Sequence, residues 1–280
     1  RTTLNRYCTS CVWLAFLLFN LSIAANADTA LTLKEALTRT LAKNPQLYQY
    51  TFIQEATRAQ RQTSALRPAL ELELAAENFA GSNNNKGFDS AEITLALSSV
   101  IELGGKREAR LSFADARIIQ AEWEKKATTL DVLGELTASY IESLTTQANI
   151  QLAEESLALS QSLLKTVNTR SNKGATPEAE VMRAQAAVAR AEIRLAALVE
   201  RLERQKVRLA RFWGDTTPTF SALEGSLFEN ETSEGFDQLY ARVKTSPAIQ
   251  VLASEARIKD AEVALARTGG RSDLTWRAGI

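Results

Sequence analysis

The sequence predicts a mainly α fold, in which long antiparallel coiled-coil helices are joined to a β-hairpin. Three observations carry this. Proline and glycine are scarce, five and twelve in 280 residues, in a chain dominated by Ala, Leu, Glu, Arg and Gln. From Lys106 to Asn172 there is no proline, and Gly134 is the only glycine. Two shorter runs, 70–77 and 92–103, instead alternate apolar and polar side chains with a period of two.

Composition excludes several function classes. Lys+Arg and Asp+Glu tie at 33 each, so no basic surplus points to nucleic acid. There is no histidine, which removes the usual general base and the commonest metal ligand together. No nucleotide-binding motif, catalytic constellation, metal-ligand set or cofactor site can be assembled from what remains. Mean hydropathy is −0.17, which excludes a helical membrane bundle.

Residues 1–27 read as a signal peptide. Arg1 and Arg6 give a positive start, 12–24 an apolar stretch too short to span a bilayer, and Ala25-Asn26-Ala27 a cleavage site. A short N-terminal anchor helix is the alternative. Cleavage after Ala27 removes two arginines and both cysteines, Cys8 and Cys11, leaving 31 basic against 33 acidic residues, a net charge of −2. A cysteine-free exported chain suits an oxidising cell envelope.

The elements follow in order. Residues 31–43 form a short amphipathic helix with Thr32 as N-cap, and Asn44-Pro45 starts a second helix over 46–66. Arg67-Pro68 ends it, and a hairpin occupies 69–103. Its first strand sets Leu70, Leu72, Leu74 and Ala76 on one face and Glu71, Glu73 and Glu77 on the other. Its second sets Ile93, Leu95, Leu97, Ile101 and Leu103 against Glu92, Thr94, Ala96, Ser98 and Glu102. Such strands fit a tilted bilayer crossing, and a soluble sheet with one wet face has the same pattern. Two strands alone, however, cannot build a soluble core.

The helix over 106–172 spans about 100 Å at 1.5 Å per residue, too long for a globular domain and suited to a coiled coil. Lys173-Gly174-Ala175-Thr176-Pro177 turns the chain into a return helix over 177–213. That helix carries two seams. Val181, Ala184, Val188, Ala191, Leu195, Leu198 and Leu202 form one heptad; Ala186, Ala189, Ile193 and Ala196 form another, roughly 150° away. Two seams call for neighbours on both flanks, as in a wall of helices, although a wide face in an ordinary bundle fits too.

A connector covers 214–235, after which the beginning of the chain recurs. Ser246-Pro247-Ala248-Ile249 echoes Asn44-Pro45-Gln46-Leu47, and Arg271-Ser272-Asp273-Leu274 echoes Arg67-Pro68-Ala69-Leu70. Residues 28–235 are thus one structural repeat, and 236–280 start a second. With Arg1 at its start and Met182 its sole methionine, the chain is expected to be a fragment lacking its start codon and most of that second repeat.

This order of elements resembles the TolC family of outer-membrane efflux factors. The matching words are Leu31-Thr32-Leu33-Lys34-Glu35-Ala36-Leu37, Asn44-Pro45-Gln46-Leu47, the tip from Arg170 through Gly174 to Glu180-Val181 and Ala184, and Leu209-Ala210-Arg211-Phe212-Trp213-Gly214. At the position of Glu180 the family usually has Asp. Ile101-Glu102-Leu103-Gly104-Gly105-Lys106-Arg107 is similar to the heavy-metal cation-efflux branch.

The resemblance implies a homotrimer whose helices form a periplasmic α-barrel and whose strands complete a twelve-stranded transmembrane β-barrel in the outer membrane of a Gram-negative bacterium. It implies a passive exit duct working with a periplasmic adaptor and an inner-membrane pump. On that reading Leu72, Leu74, Leu95 and Leu97 face lipid, while Glu71, Glu73, Glu77, Glu92 and Glu102 face the lumen. An acidic lumen suits cations, although a generic hydrophilic lining is the preferred account. Arg170, Gly174, Glu180, Val181 and Ala184 form the adaptor-docking tip. The helices over 177–213 and 46–66 stack end to end opposite the long helix. The competing reading is a periplasmic adaptor or coiled-coil scaffold, which needs flanking compact β-domains.

Overall fold

A computed structural model describes residues 30–78, 91–228 and 235–280. The expected signal peptide over 1–27, the hairpin loop 81–87 and part of the connector lie outside them. The described chain divides into two units, one of residues 30–42 and 134–228, the other of 43–78, 91–133 and 235–280.

The first unit has a hydrophobic core of its own. It opens with β1 (Leu31–Thr32) and α1 (Leu33–Lys43). The sequence leads one to expect a helix from residue 31. Instead Leu31 pairs in parallel with Leu223 of β4 (Leu223–Glu224), a partner nearly two hundred residues away. Thr32 caps α1 as expected, its hydroxyl accepting from the Glu35 N–H at 3.2 Å. The C-terminal part of α3 (Lys106–Asn172) and α4 (Glu178–Arg211) complete the unit. Leu31, Ala36, Leu136, Tyr140, Leu202, Leu209, Trp213 and Phe220 pack together in the core.

Two polar side chains of α3 hold β1 and β4 in place. The Tyr140 hydroxyl lies 2.6 Å from both the Leu31 and the Glu224 carbonyl oxygens, so its single proton serves two strands. One α-helical double turn on, the Gln147 amide pairs with Leu223 as a neighbouring strand would. It donates to the Leu223 carbonyl and accepts from its N–H, both at 2.9 Å. A two-residue strand pair cannot persist alone, and these contacts replace the strands it lacks.

Both long helices end in the same way. The Ala175 N–H reaches the Arg170 carbonyl at 3.0 Å and the Gly174 N–H the Ser171 carbonyl at 2.8 Å, with Gly174 at φ +73. Asp215, Gly214, Ala210 and Arg211 repeat the arrangement, with Gly214 at φ +82. This is the double hydrogen bond that a glycine after a helix permits. α4 accordingly stops at Arg211, two residues before the expected end, so that Phe212 and Trp213 lie in the turn.

The second unit contains α2 (Pro45–Ala65), β2 (Glu71–Glu77), β3 (Glu92–Ile101), the N-terminal part of α3, α5 (Phe236–Lys244), α6 (Pro247–Gly269) and β5 (Leu274–Gly279). Asn44 caps α2 by accepting from the Leu47 N–H at 3.0 Å, with Pro45 in the first turn. α2 runs antiparallel to α3, tied by the Tyr50 and Thr128 hydroxyls at 2.8 Å and by an Arg61–Asp115 ion pair. The sheet order is β2-β3-β5, antiparallel throughout.

Tyr140→Phe in the full-length protein leaves two strand carbonyls without their shared donor. It is expected to cost about 1–3 kcal/mol, read as a lower urea midpoint with an unchanged slope.

Candidate functional site

The sheet brings the expected leucines together. Leu72 lies opposite Leu97 and Leu74 opposite Leu95, with Ala76 opposite Ile93, on one face. β5 extends that face with Leu274 beside Ile101, Trp276 beside Ser99 and Ala278 beside Leu97. Leu72 and Leu74 are each 72% exposed and Leu95 44%, so within this chain the apolar face is uncovered. A continuous apolar surface of this kind marks contact with lipid or another protein.

The opposite face carries Glu71, Glu73 and Glu77 of β2, all exposed, and Glu92 of β3 directly opposite Glu77. Here β5 changes the electrostatics. Arg277, opposite Ser98, reaches across the small residues of β3 to Glu73 at 2.8 Å. Glu73 is therefore partly neutralised. Glu102 departs from the set more clearly. It lies beyond the end of β3, is half-buried, and takes a two-pronged ion pair from Arg110. It fixes the junction between strand and helix and is not an open acidic position.

The junction holds further contacts that periodicity does not disclose. Arg107 donates to the Ala65 carbonyl at 2.7 Å, tying the first turn of α3 to the last of α2. Asp273 accepts from the Leu103 N–H at 3.1 Å and from Lys106 at 2.7 Å. Asp273 was not singled out from sequence. Its place in the echo of Arg67-Pro68-Ala69, where it replaces Ala69, is the signal that could have found it.

At the tip, Arg170 is exposed and its carbonyl closes the helix end described above. Gly174 is required for its positive φ, since a side chain there would meet open space. Glu180 pairs with Arg183 of its own helix at 2.6 Å. Val181 and Ala184 are 9% and 7% exposed. Placed at the docking tip by the resemblance, they offer no open surface there, because they belong to the seam that α4 buries. Of the tip residues, Arg170 and Gly174 are the exposed ones.

The seams of α4 differ sharply. In the first, Val181, Ala184 and Leu202 are buried and Val188, Ala191, Leu195 and Leu198 half-buried. In the second, Ala186, Ala189, Ile193 and Ala196 are all exposed, Ile193 to 71%. α3 likewise leaves Leu152, Leu159 and Leu163 exposed, at helical spacing. Between the helices, Glu142 of α3 is held by Arg201 at 2.8 Å and Arg208 at 2.5 Å, one heptad apart on α4. These arginines lower its carboxyl from 4.5 to about 2.

Among the described residues no group of three or more His, Cys, Asp or Glu could hold a metal ion. No described helix is long and apolar enough to cross a membrane.

These parts leave the leucine face of the sheet and the second seam of α4 exposed in the described chain. The family follows from residues 36–215, which match the outer membrane efflux protein family; the chain belongs to it. It is 27% identical over 190 residues to the cobalt-zinc-cadmium resistance protein CzcC of Cupriavidus metallidurans, covering 66% of this chain and 44% of that protein. It is 24% identical over 208 residues to the nickel-cobalt-cadmium resistance protein NccC of Alcaligenes xylosoxydans xylosoxydans, covering 73% and 46%. The chain thus spans a little under half the length of these relatives. Among solved structures it is similar to CusC, with a TM-score of 0.72 at 17% identity over 92% of this chain and 62% of that one. It is also similar to the outer-membrane channel OprN (0.71, 19%, 88% and 57%) and to VceC of Vibrio cholerae (0.70, 18%, 89% and 61%). At these identities the likeness concerns the fold. The family matched is that of outer membrane efflux proteins and not of adaptors; the described strands form one three-stranded sheet and one two-residue pair.

The Glu142 clamp makes the α3–α4 pairing acid-sensitive. Its carboxyl is depressed in the folded state, so its contribution is present above 4.5 and lost as pH falls from there toward about 2. In the full-length protein the unfolding midpoint is expected to fall more steeply over that range in the wild type than in Glu142→Gln, which carries no titrating group at the site.

Proposed function

We propose that the full-length protein is the outer-membrane duct of a tripartite efflux system, a passive conduit from an inner-membrane pump through a periplasmic adaptor to the exterior. The observation that carries this is the sheet, whose leucine face is exposed and continuous across three strands while the other face is charged. In lipid, strand edges must find partners, so such a sheet is stable only as part of a closed barrel. On this reading the apolar face meets lipid, and Glu71, Glu73, Glu77 and Glu92 line the lumen, joined by Arg277. Residues 28–235 act as one repeat and 236–280 as the start of the next.

The second seam of α4 and the exposed leucines of α3 then meet helices of neighbouring protomers in a trimer, the alanines allowing close approach. The protein transports and does not catalyse. The names of CzcC and NccC support divalent heavy-metal cations as cargo. The junction word Ile101–Arg107, similar to the heavy-metal branch, agrees with that class.

One assembly assay tests both faces and the seam. Leu74→Arg is expected to cost about 2–4 kcal/mol at mid-bilayer depth and to abolish heat-modifiable oligomers in outer membranes. Glu73→Gln should assemble normally. Ala189→Trp should assemble poorly while leaving the helical content of the monomer intact. Equal tolerance at Leu74 and Glu73 would rule out a barrel, and normal assembly of Ala189→Trp would leave α4 in a simple hairpin.

The tip around Arg170 and Gly174 is proposed as the adaptor contact, with Glu180, Val181 and Ala184 shaping the hairpin behind it. A cysteine at position 170 is expected to cross-link to the adaptor in cells, whereas one at exposed Leu130 should not. Cross-linking from 130 alone would move the contact away from the tip.

A further inference from the structure

The two repeats enter their first strands on related words, Arg67-Pro68-Ala69-Leu70 and Arg271-Ser272-Asp273-Leu274, which share the arginine and the leucine. In the second copy of the word, the structure shows what the arginine does. Arg271 donates to the Gly104 carbonyl at 3.1 Å, over the turn that joins β3 to α3. Its side chain occupies the space a Cβ on Gly104 would need, with Arg271 Cδ only 2.2 Å from that position. Gly104 also has φ +75, so the turn takes glycine for both reasons. Asp273 adds its bonds to Leu103 and Lys106, and together these lock β5 onto β3 in the Ile101–Leu274 register.

In the first copy of the word the same arginine has nothing to hold. Arg67 is exposed and makes no hydrogen bond or ion pair among the described residues. The strand it introduces, β2, pairs with β3 on one side and with no described strand on the other. Arg67 and Pro68 also border an open groove of about 390 Å³ at the base of the β2–β3 pair, closed by β3 and by Glu102, Arg107 and Glu108, and not at the free edge of β2.

We infer that Arg67 is a latch between copies of this chain: its guanidinium grips the strand-to-helix turn of a neighbouring copy's second repeat, as Arg271 grips Leu103–Lys106 within the chain. The inference rests on the duct reading above. The order β2-β3-β5 sets the second strand of one repeat against the first strand of the next, a head-to-tail contact that closes only as a ring. Two such repeats supply about four strands, and a closed bacterial barrel needs at least about eight. The strand against β2 therefore comes from another copy. Only half of the latch carries over, because Ala69 stands where Asp273 does. The contact between copies keeps the guanidinium-to-carbonyl bond and lacks the carboxylate.

The test uses the full-length protein in outer membranes, with the photo-cross-linker p-benzoylphenylalanine at position 67 or 271. Position 271 should cross-link within one chain to Leu103–Lys106. Position 67 should give a dimer whose partner peptide lies about 204 residues beyond that turn, the spacing of the two words. A cross-link from 67 into its own chain, to lipid alone, or nowhere while 271 succeeds would overturn the latch. A heat-modifiable oligomer in which 67 is silent overturns the latch alone, and a monomeric protein overturns the duct reading with it. Independently, Arg67→Ala should lower the temperature at which the oligomer dissociates in detergent, and Arg67→Lys should recover part of the loss. No shift in either variant would count against the latch.

Discussion

One uninterrupted helix contributes to both units and gives each of them packing or polar partners. α3 runs 67 residues without a break in its hydrogen bonding. In one unit it presents Leu136, Tyr140, Leu144 and Gln147, and α1, α4 and the β1–β4 pair collect around them. In the other it presents Arg107, Arg110, Asp115 and Thr128, to which α2 and the end of the hairpin are tied. An isolated helix of this length is stabilised by packing and not by propensity. Its continuity therefore depends on partners along its length, some within the chain and some, on the duct reading, outside it.

The two units are built on different physics. The first has a buried aliphatic and aromatic core, with Leu31, Leu136 and Leu209 at 1%, 0% and 0% exposure. Trp213 closes one end, its indole N–H donating to Asp215 at 2.8 Å, while Arg39 sits 5.8 Å from its ring. The second holds its sheet chiefly by backbone pairing and by charged contacts at the junction, with few fully buried side chains. On the duct reading the difference follows, since a strand facing hydrocarbon leaves its apolar side chains on the outside.

The junction converts a strand into a helix within a few residues, and its chemistry is local and polar. Gly104 and Gly105, both at φ +75, turn the chain. Lys106, Arg107 and Arg110 then spend their charge on Asp273, on the Ala65 carbonyl, and on Glu102 and the Leu66 carbonyl. The word Ile101–Arg107 is thus a binding surface for the segments before and after it in the fold. That accounts for its run of glycines and cations, which helix or strand propensity alone does not.

The sequence by itself determined the long helices and the sidedness of the hairpin strands, and it missed the two-residue strands β1 and β4 and the helix α5. Helix spans follow from where proline and glycine fall, caps from Thr32, Asn44 and Gly174, and the leucine and glutamate faces of β2 and β3 from a period of two. These are properties of local backbone geometry, which a single chain segment carries within itself. Only the tertiary structure decided partners. Periodicity gave α4 two seams, and it took packing to bury Leu202 and leave Ile193 exposed. It placed Glu102 among the acidic strand residues, where Arg110 reclaims it. The resemblance set Val181 and Ala184 in the docking tip, where packing buries both, and periodicity was silent on Tyr140 and Gln147 clasping strands that are far off in sequence. A face is fixed by φ and ψ over a few residues, whereas what covers it depends on loop closures spanning dozens of residues or on other chains, which the order of residues does not state.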